Sequence, residues 1–308
     1  MAALPAPELQ FLTDPADFLA ATGEVLAEDP VLNTVIATYT ERLRDEDADG
    51  VPVDPDLPRW WVVVRDDAGA VAGVGMRTAP FAPYPLYLLP MPDEAAVAIA
   101  RALHERGEDA AGCNGALPAA RLFAEEAARL VGGRAEVAIQ SRLFELGELG
   151  ELVEPPAPPG RLRRATRDDV RLCLRWYDAF ARDADEQAGR PAGSHHDVAE
   201  TEESMLRRID RKRVWLWEDE LGEVVHLTAA NLPSYGVARI GPVYTPAQHR
   251  GHGYASATVA AVSRSILDEG ARACLFTDQS NPTSNKIYET LGYRPVVDMA
   301  NLVIRPAS

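Results

Sequence analysis

The chain has 308 residues, of which 46% are hydrophobic and 25% charged, with a formal net charge of −16. That is an ordinary globular balance over a length of about two domains, and the negative charge excludes a general nucleic-acid or anionic-membrane binder, because phosphate would be repelled. The three cysteines, Cys113, Cys173 and Cys274, lie far apart and form no CxxC pair; no zinc ribbon or disulfide framework is expected, and a reduced, cytoplasmic setting is.

The opening stretch MAALPAPELQFLTDPADF has neither a basic start nor a continuous apolar run, so no signal peptide is expected. No later segment approaches the ~20 apolar residues of a membrane span. The run Leu9 to Leu12 reads as a strand, and Thr13-Asp14-Pro15-Ala16-Asp17 as a helix cap and first turn. Trp60 to Val64, the turn Asp66 to Gly69 and Val71 to Met76 read as a β-hairpin. Leu86 to Leu89 is a further strand, leading through Pro90-Met91-Pro92-Asp93 into a helix that ends at Glu105-Arg106-Gly107.

Glu154-Pro-Pro-Ala-Pro-Pro-Gly160 reads as a stiff linker, since proline favours extended backbone and supplies no amide donors. It divides the chain into residues 1–153 and 161–308. The pattern then repeats. Thr166-Arg167-Asp168-Asp169 stands as the second cap, 153 positions after Thr13. A second hairpin runs through Val214 to Trp217, the turn Asp219 to Gly222 and Val224 to Ala229, with Gly222 again 153 positions after Gly69. Two landmarks at one offset point to a duplication. The offset grows to 163 at Gly107 and Gly270, so about ten residues separate the halves between hairpin and helix.

Those residues fall on one glycine-rich loop. Val237 to Thr245 reads as a strand that bulges or parts from a neighbour at Gly241-Pro242, because proline cannot donate to a ladder. Gln248-His249-Arg250-Gly251-His252-Gly253-Tyr254-Ala255 follows. A helix comes next, with Ala255, Val259, Val262 and Ile266 on one apolar stripe. Strand, glycine loop and helix start make an anion site: the first helical amides lack internal partners, and Gly251 and Gly253 let backbone approach a pyrophosphate. The loop is neither GxxxxGK[ST] nor GxGxxG, so neither nucleotide motif applies. Taken alone, it is equally a tight turn.

Farther on, the strand Ala273 to Thr277 precedes Asn281-Pro282-Thr283-Ser284-Asn285-Lys286-Ile287-Tyr288-Glu289-Thr290-Leu291-Gly292-Tyr293. Together with Gln248-x-x-Gly251-x-Gly253, this resembles the two signatures of the GNAT superfamily of acyl-CoA-dependent N-acetyltransferases, over about residues 214 to 300. The resemblance implies two tandem α/β (α+β) GNAT-like domains, each a mixed, mostly antiparallel sheet flanked by helices and containing a central parallel pair. The first would be degenerate and the second catalytic. It implies acetyl-CoA as cosubstrate, no metal, and an amine acceptor. Val243, Tyr244 and Thr245 would pair with the pantetheine arm, the backbone amides of Arg250, Gly251, His252, Gly253, Tyr254, Ala255 and Ser256 would hold the pyrophosphate, and Gln248 would belong to the same cofactor site. Asn281 would cap its helix and reach the pantetheine. Tyr288 would be the general acid that protonates the leaving thiolate. Aligning Gly132 with Gly292 puts Ala128 where Tyr288 stands, leaving the first half without loop or acid.

The general base stays open. His226, Glu202 and Glu203 are weak candidates, and a satisfied structural role fits His226 better. His195-His196 lacks a third ligand and reads as a solvated loop. Cys274, mid-strand, reads as buried and inert. Two rivals stand beside the enzyme: a non-catalytic acyl-CoA sensor, and an acetyltransferase like the tandem mycothiol synthases.

Overall fold

In the computed structural model, residues 7–108, 110–187 and 200–307 are described. They form the same ten elements twice, in the same order. The first set is β1 (Glu8–Leu12), α1 (Pro15–Glu28), α2 (Thr34–Ala48), β2 (Trp60–Arg65), β3 (Val71–Arg77), β4 (Leu86–Leu88), α3 (Asp93–Glu105), β5 (Gly112–Ala116), α4 (Ala119–Leu130) and β6 (Arg134–Leu146). The second is β7 (Arg161–Arg164), α5 (Val170–Gln187), α6 (Glu202–Asp210), β8 (Val214–Glu218), β9 (Val224–Ala230), β10 (Val237–Tyr244), α7 (Tyr254–Asp268), β11 (Arg272–Asp278), α8 (Pro282–Thr290) and β12 (Arg294–Arg305).

Local chemistry sets many of these boundaries. Asp14 caps α1 by accepting from the Ala16 and Asp17 amides at 2.7 and 3.3 Å, with Pro15 at the first helical position. Thr166 and Asp169 form a capping box around the short 3-10 turn that opens onto α5. Both hairpins turn on an aspartate and a glycine: the Asp66 and Asp219 carboxylates accept from amides of the turn, and Gly69 and Gly222 sit at φ +80° and +81°. α3 and α7 end at Glu105 and Asp268, with Gly107 and Gly270 in the left-handed region just beyond.

The chain forms two compact units, residues 1–141 with 297–308, and residues 142–296. The proline-rich run 154–160 therefore lies within the second unit, and the units part inside β6 and β12. The first unit's strands are ordered β1-β2-β3-β4-β5-β12, and the second's β6-β11-β10-β9-β8-β7. Each final strand thus sits beside the other repeat's parallel pair. β12 lies antiparallel to β5, Met299 to Val303 against Ala116 to Gly112. The hairpins are antiparallel, and the parallel pairs are β4–β5 and β10–β11. This is the mixed, mostly antiparallel α/β architecture expected from the sequence.

In the second unit, one face of the sheet packs on α7 and α8 through Ala238, Ile240, Leu275, Val259, Val262, Ile266 and Leu291. Leu216, Leu227 and Ala229 pack with Cys173, Met205 and Ile209 of α5 and α6. Phe144 and Leu146, from the end of β6, are 1% and 0% exposed in the first of these cores. A fragment of residues 160–308 loses both, at ~1.5–3 kcal/mol for each buried side chain. That is a large share of the roughly 5–15 kcal/mol that holds a domain folded. The fragment should be insoluble or lack a cooperative melt. A soluble fragment with sharp thermal unfolding would contradict this placement of β6.

Candidate active site

The site is built where a parallel pair comes apart. β10 and β11 pair from Val237↔Arg272 to Ile240↔Leu275, yet β10 continues to Tyr244 and β11 to Asp278. On its other edge β10 keeps pairing with β9, through Val243↔Thr228 and Tyr244↔Leu227, after a register shift between Ile240 and Val243. Gly241-Pro242 occupies that shift, where the missing proline N–H makes a regular ladder impossible. Backbone polar groups past Ile240 on the β11 side are left for another partner.

The loop leads from this opening into α7. Gly251 and Gly253 adopt φ +82° and +83°, a region that favours glycine, and nothing stands within 4 Å of where a Cβ would project. Gly253 is the N-cap of α7, and no side chain caps this end. The Tyr254, Ala255 and Ser256 amides are thus the unsatisfied first donors of a fifteen-residue helix. Open space, positive φ and free amides fit an anionic group lying on the loop.

The remaining loop residues divide by role. Gln248 is exposed in the short 3-10 turn Ala247–His249. The His252 ring stacks on Tyr254, with centroids 5.7 Å apart, and Tyr254 is buried beside Trp217. The Arg250 guanidinium is already engaged: Nε donates to the Thr245 carbonyl at 3.0 Å, and Nη2 pairs with Asp183 Oδ2 at 2.8 Å. The apolar stripe of α7 is present at Val259, Val262 and Ile266, all fully buried, while Ala255 is half-buried.

Asn281 caps α8, its Oδ1 accepting from the Ser284 amide at 3.1 Å, with Pro282 at the first position. Tyr288 is 7% exposed on α8 and meets Tyr293 edge to face at 6.0 Å. Burial alone pushes its phenol above the ordinary tyrosine range. Tyr293 is pushed up chiefly by burial too, but its hydroxyl is committed. It lies 2.6 Å from Ser263 Oγ, whose own proton goes to the Val259 carbonyl, so Tyr293 is the donor.

Beside these residues is a cavity of about 450 Å³ lined by Pro155, Ser256, Pro282, Thr283, Lys286 and Ile287, among others. Thr283 and Lys286 were not singled out from sequence. The signal available was a lysine two positions before Tyr288 on a helix facing an anion loop in an acidic protein.

His226 is fully buried, with Nδ1 2.7 Å from Thr245 Oγ1 and Nε2 2.7 Å from Thr228 Oγ1. Both ring nitrogens are satisfied, as a structural histidine requires, and burial lowers its pKa to about 3. Glu203 pairs with Arg207 on the exposed side of α6. His195 and His196 lie outside the described residues. All three cysteines are buried and unpaired.

The first unit treats the corresponding place differently. β4 pairs with β5 along its whole length, Leu86↔Cys113 to Leu88↔Gly115. Gly115 lets the backbones close up, since a Cβ there would lie 2.0 Å from the Leu88 carbonyl oxygen. Ala128 is buried on α4. This parallel pair has no opening.

Comparison with known proteins bears on the fold. The family model described as FR47-like protein matches residues 220–301. A GCN5-related N-acetyltransferase from Sphaerobacter thermophilus is 18% identical, with a TM-score of 0.61 over 99% of this chain and 98% of that one. A Drosophila protein is 15% identical, with a TM-score of 0.63 over 97% and 99%. A tandem GNAT protein from the clavulanic acid biosynthesis pathway is 15% identical, with a TM-score of 0.55 over 98% and 100%. No curated protein matches the chain.

The buried histidine gives a testable pH dependence. The unfolded ring takes up a proton near pH 6.5 and the folded ring only near 3. Its contribution to stability is therefore full above pH 6.5 and is lost as pH falls toward 3, by up to about 1.4 kcal/mol per unit. In urea melts between pH 6.5 and 4.5, His226→Gln should show a shallower loss than the parent. Equal slopes would mean that the ring is protonated in the fold. Residues 220–301 thus match the FR47-like family model, and the chain as a whole shares its fold with the GCN5-related and tandem GNAT structures.

Proposed function

We propose that the second unit transfers an acetyl group from acetyl-CoA to a primary amine by direct attack, and that the first unit takes no part in the chemistry. The observation that carries this reading is the opening between β10 and β11, followed at once by the uncapped, glycine-flanked start of α7. Backbone groups of Val243, Tyr244 and Thr245 hold the pantetheine arm, which would act as a substitute strand. Amides from Arg250 to Ser256 hold the pyrophosphate. Asn281 uses Oδ1 for its cap and keeps its side-chain N–H groups for the arm. Lys286 and Thr283 of the adjoining cavity suit the charged adenosine end.

Acetyl-CoA brings the acyl group already activated as a thioester. The amine nitrogen bonds to the acyl carbon and the carbon–sulfur bond breaks. Tyr288 gives its proton to the departing sulfur and regains one from the nitrogen. A phenol with a raised pKa stays protonated at neutral pH, which is the form an acid needs. A cytoplasmic setting suits the three buried, unpaired cysteines.

The non-catalytic acyl-CoA sensor draws on one observation, that Tyr288 is nearly enclosed and packs on Tyr293. Kinetics separate the two readings. With thiol release followed across a panel of primary amines, Tyr288→Phe should lower kcat on the order of 10²-fold and change the acetyl-CoA KM by less than about threefold. Unchanged kcat would remove Tyr288 from the acid role. Acetyl-CoA binding with no turnover of any amine by the parent protein would favour the sensor.

A further inference from the structure

We propose that Asp183 is a positioning residue for the coenzyme loop, acting through Arg250 and Tyr244, so that Arg250 serves as a strut and not as a phosphate ligand. The inference rests on the acyl-CoA-binding reading above.

Three bonds define the arrangement. Asp183, near the end of α5, accepts at Oδ2 from the Tyr244 hydroxyl at 3.0 Å and from Arg250 Nη2 at 2.8 Å. Arg250 Nε donates back to the Thr245 carbonyl at 3.0 Å. One carboxylate therefore ties the last residue of β10 to the residue just before Gly251. The five residues between are closed into a loop fixed at both ends. The Asp183 side chain is 19% exposed, so the pair with Arg250 is partly shielded from solvent, where a charge-assisted bond is stronger than at an open surface. The pKa of Tyr244 is raised to about 12, by burial first and then by Asp183, consistent with a phenol that keeps its proton and donates. Trp176, also on α5, meets the Tyr244 ring edge-on at 5.8 Å and fixes its direction.

His226 secures the same point from the other side of the strand. Its bond to Thr245 Oγ1 continues to Thr228 on β9. Thr245 is thus held by its side chain through His226 and by its carbonyl through Arg250. Strand end and loop are set before any ligand arrives, so binding does not bear the entropy of ordering them. A guanidinium turned toward Thr245 and Asp183 leaves the anion to the backbone amides of α7.

The test is a double-mutant cycle on the full chain, read by calorimetric titration of acetyl-CoA. Asp183→Asn and Arg250→Gln should each weaken binding about tenfold. The double variant should bind no worse than either single one, because both remove the same strut. Asp183→Glu, which keeps the charge, should recover part of the loss. A role in general stability alone would lower Tm without this coupling or rescue. Arg250 is 37% exposed at its side chain, so its variant folds whatever befalls Asp183→Asn. Unchanged affinity in Arg250→Gln overturns the proposal by itself. Weaker binding in Arg250→Gln with unaltered binding in Asp183→Asn overturns it as well, and makes Arg250 a direct phosphate ligand. Failure of the parent protein to bind acetyl-CoA would instead remove the reading on which the proposal rests.

Discussion

The backbone of a sheet must place its hydrogen bonds somewhere, and in the second unit one stretch of strand stops placing them on its neighbour. β10 and β11 share a ladder only as far as Ile240 and Leu275. Past that point β10 is held on one edge by β9 and open on the other. The cis-bonded Gly241-Pro242 step occupies the transition. Everything assigned to function follows from that unpaired edge: the strand end that a ligand could complete, the loop that leaves it, and the uncapped helix the loop enters. The supporting shell is polar and specific, with His226 and Asp183 gripping residues 244, 245 and 250 from opposite directions.

The first unit shows what the same plan becomes without the constraint. Its ten elements follow the same order, and it keeps a parallel pair. Gly115 brings β5 so close to Leu88 that the pair is sealed along all of β4. Only four residues join β4 to α3, whereas nine join β10 to α7. The loop and the opening are absent together, since a loop that cradles a ligand has little use where no strand end is free. Ala128 on the corresponding helix is core, packed among other alanines and Phe123.

Much of this was legible in the chain. Hairpins announce themselves through aspartate-glycine turns between β-branched runs, and Asp14, Thr166 and Asn281 cap their helices as their types and positions suggest. The proline at 242 marked the break because its chemistry forbids the ladder. Longer-range choices were not legible. Nothing local says that β12 lies beside β5, or that Phe144 and Leu146 complete a core formed mainly by residues a hundred positions later. By sequence, Arg250 is one residue of the anion loop. Its pairing with Asp183, across 67 residues, depends on how α5 crosses the sheet, which no spacing rule encodes. His226 was open to two uses until its two threonine partners appeared, one on its own strand and one nineteen residues on.

The central claim is that one unit, and only one, keeps a coenzyme site. Calorimetric titration of acetyl-CoA into the whole protein, beside a Gly253→Glu variant, tests it most directly. Glutamate at that position would put a negative charge on the helix start and a side chain into a left-handed backbone conformation. One site per chain in the parent and none in the variant is the expected result. Two sites per chain, or binding that survives the substitution, would contradict it.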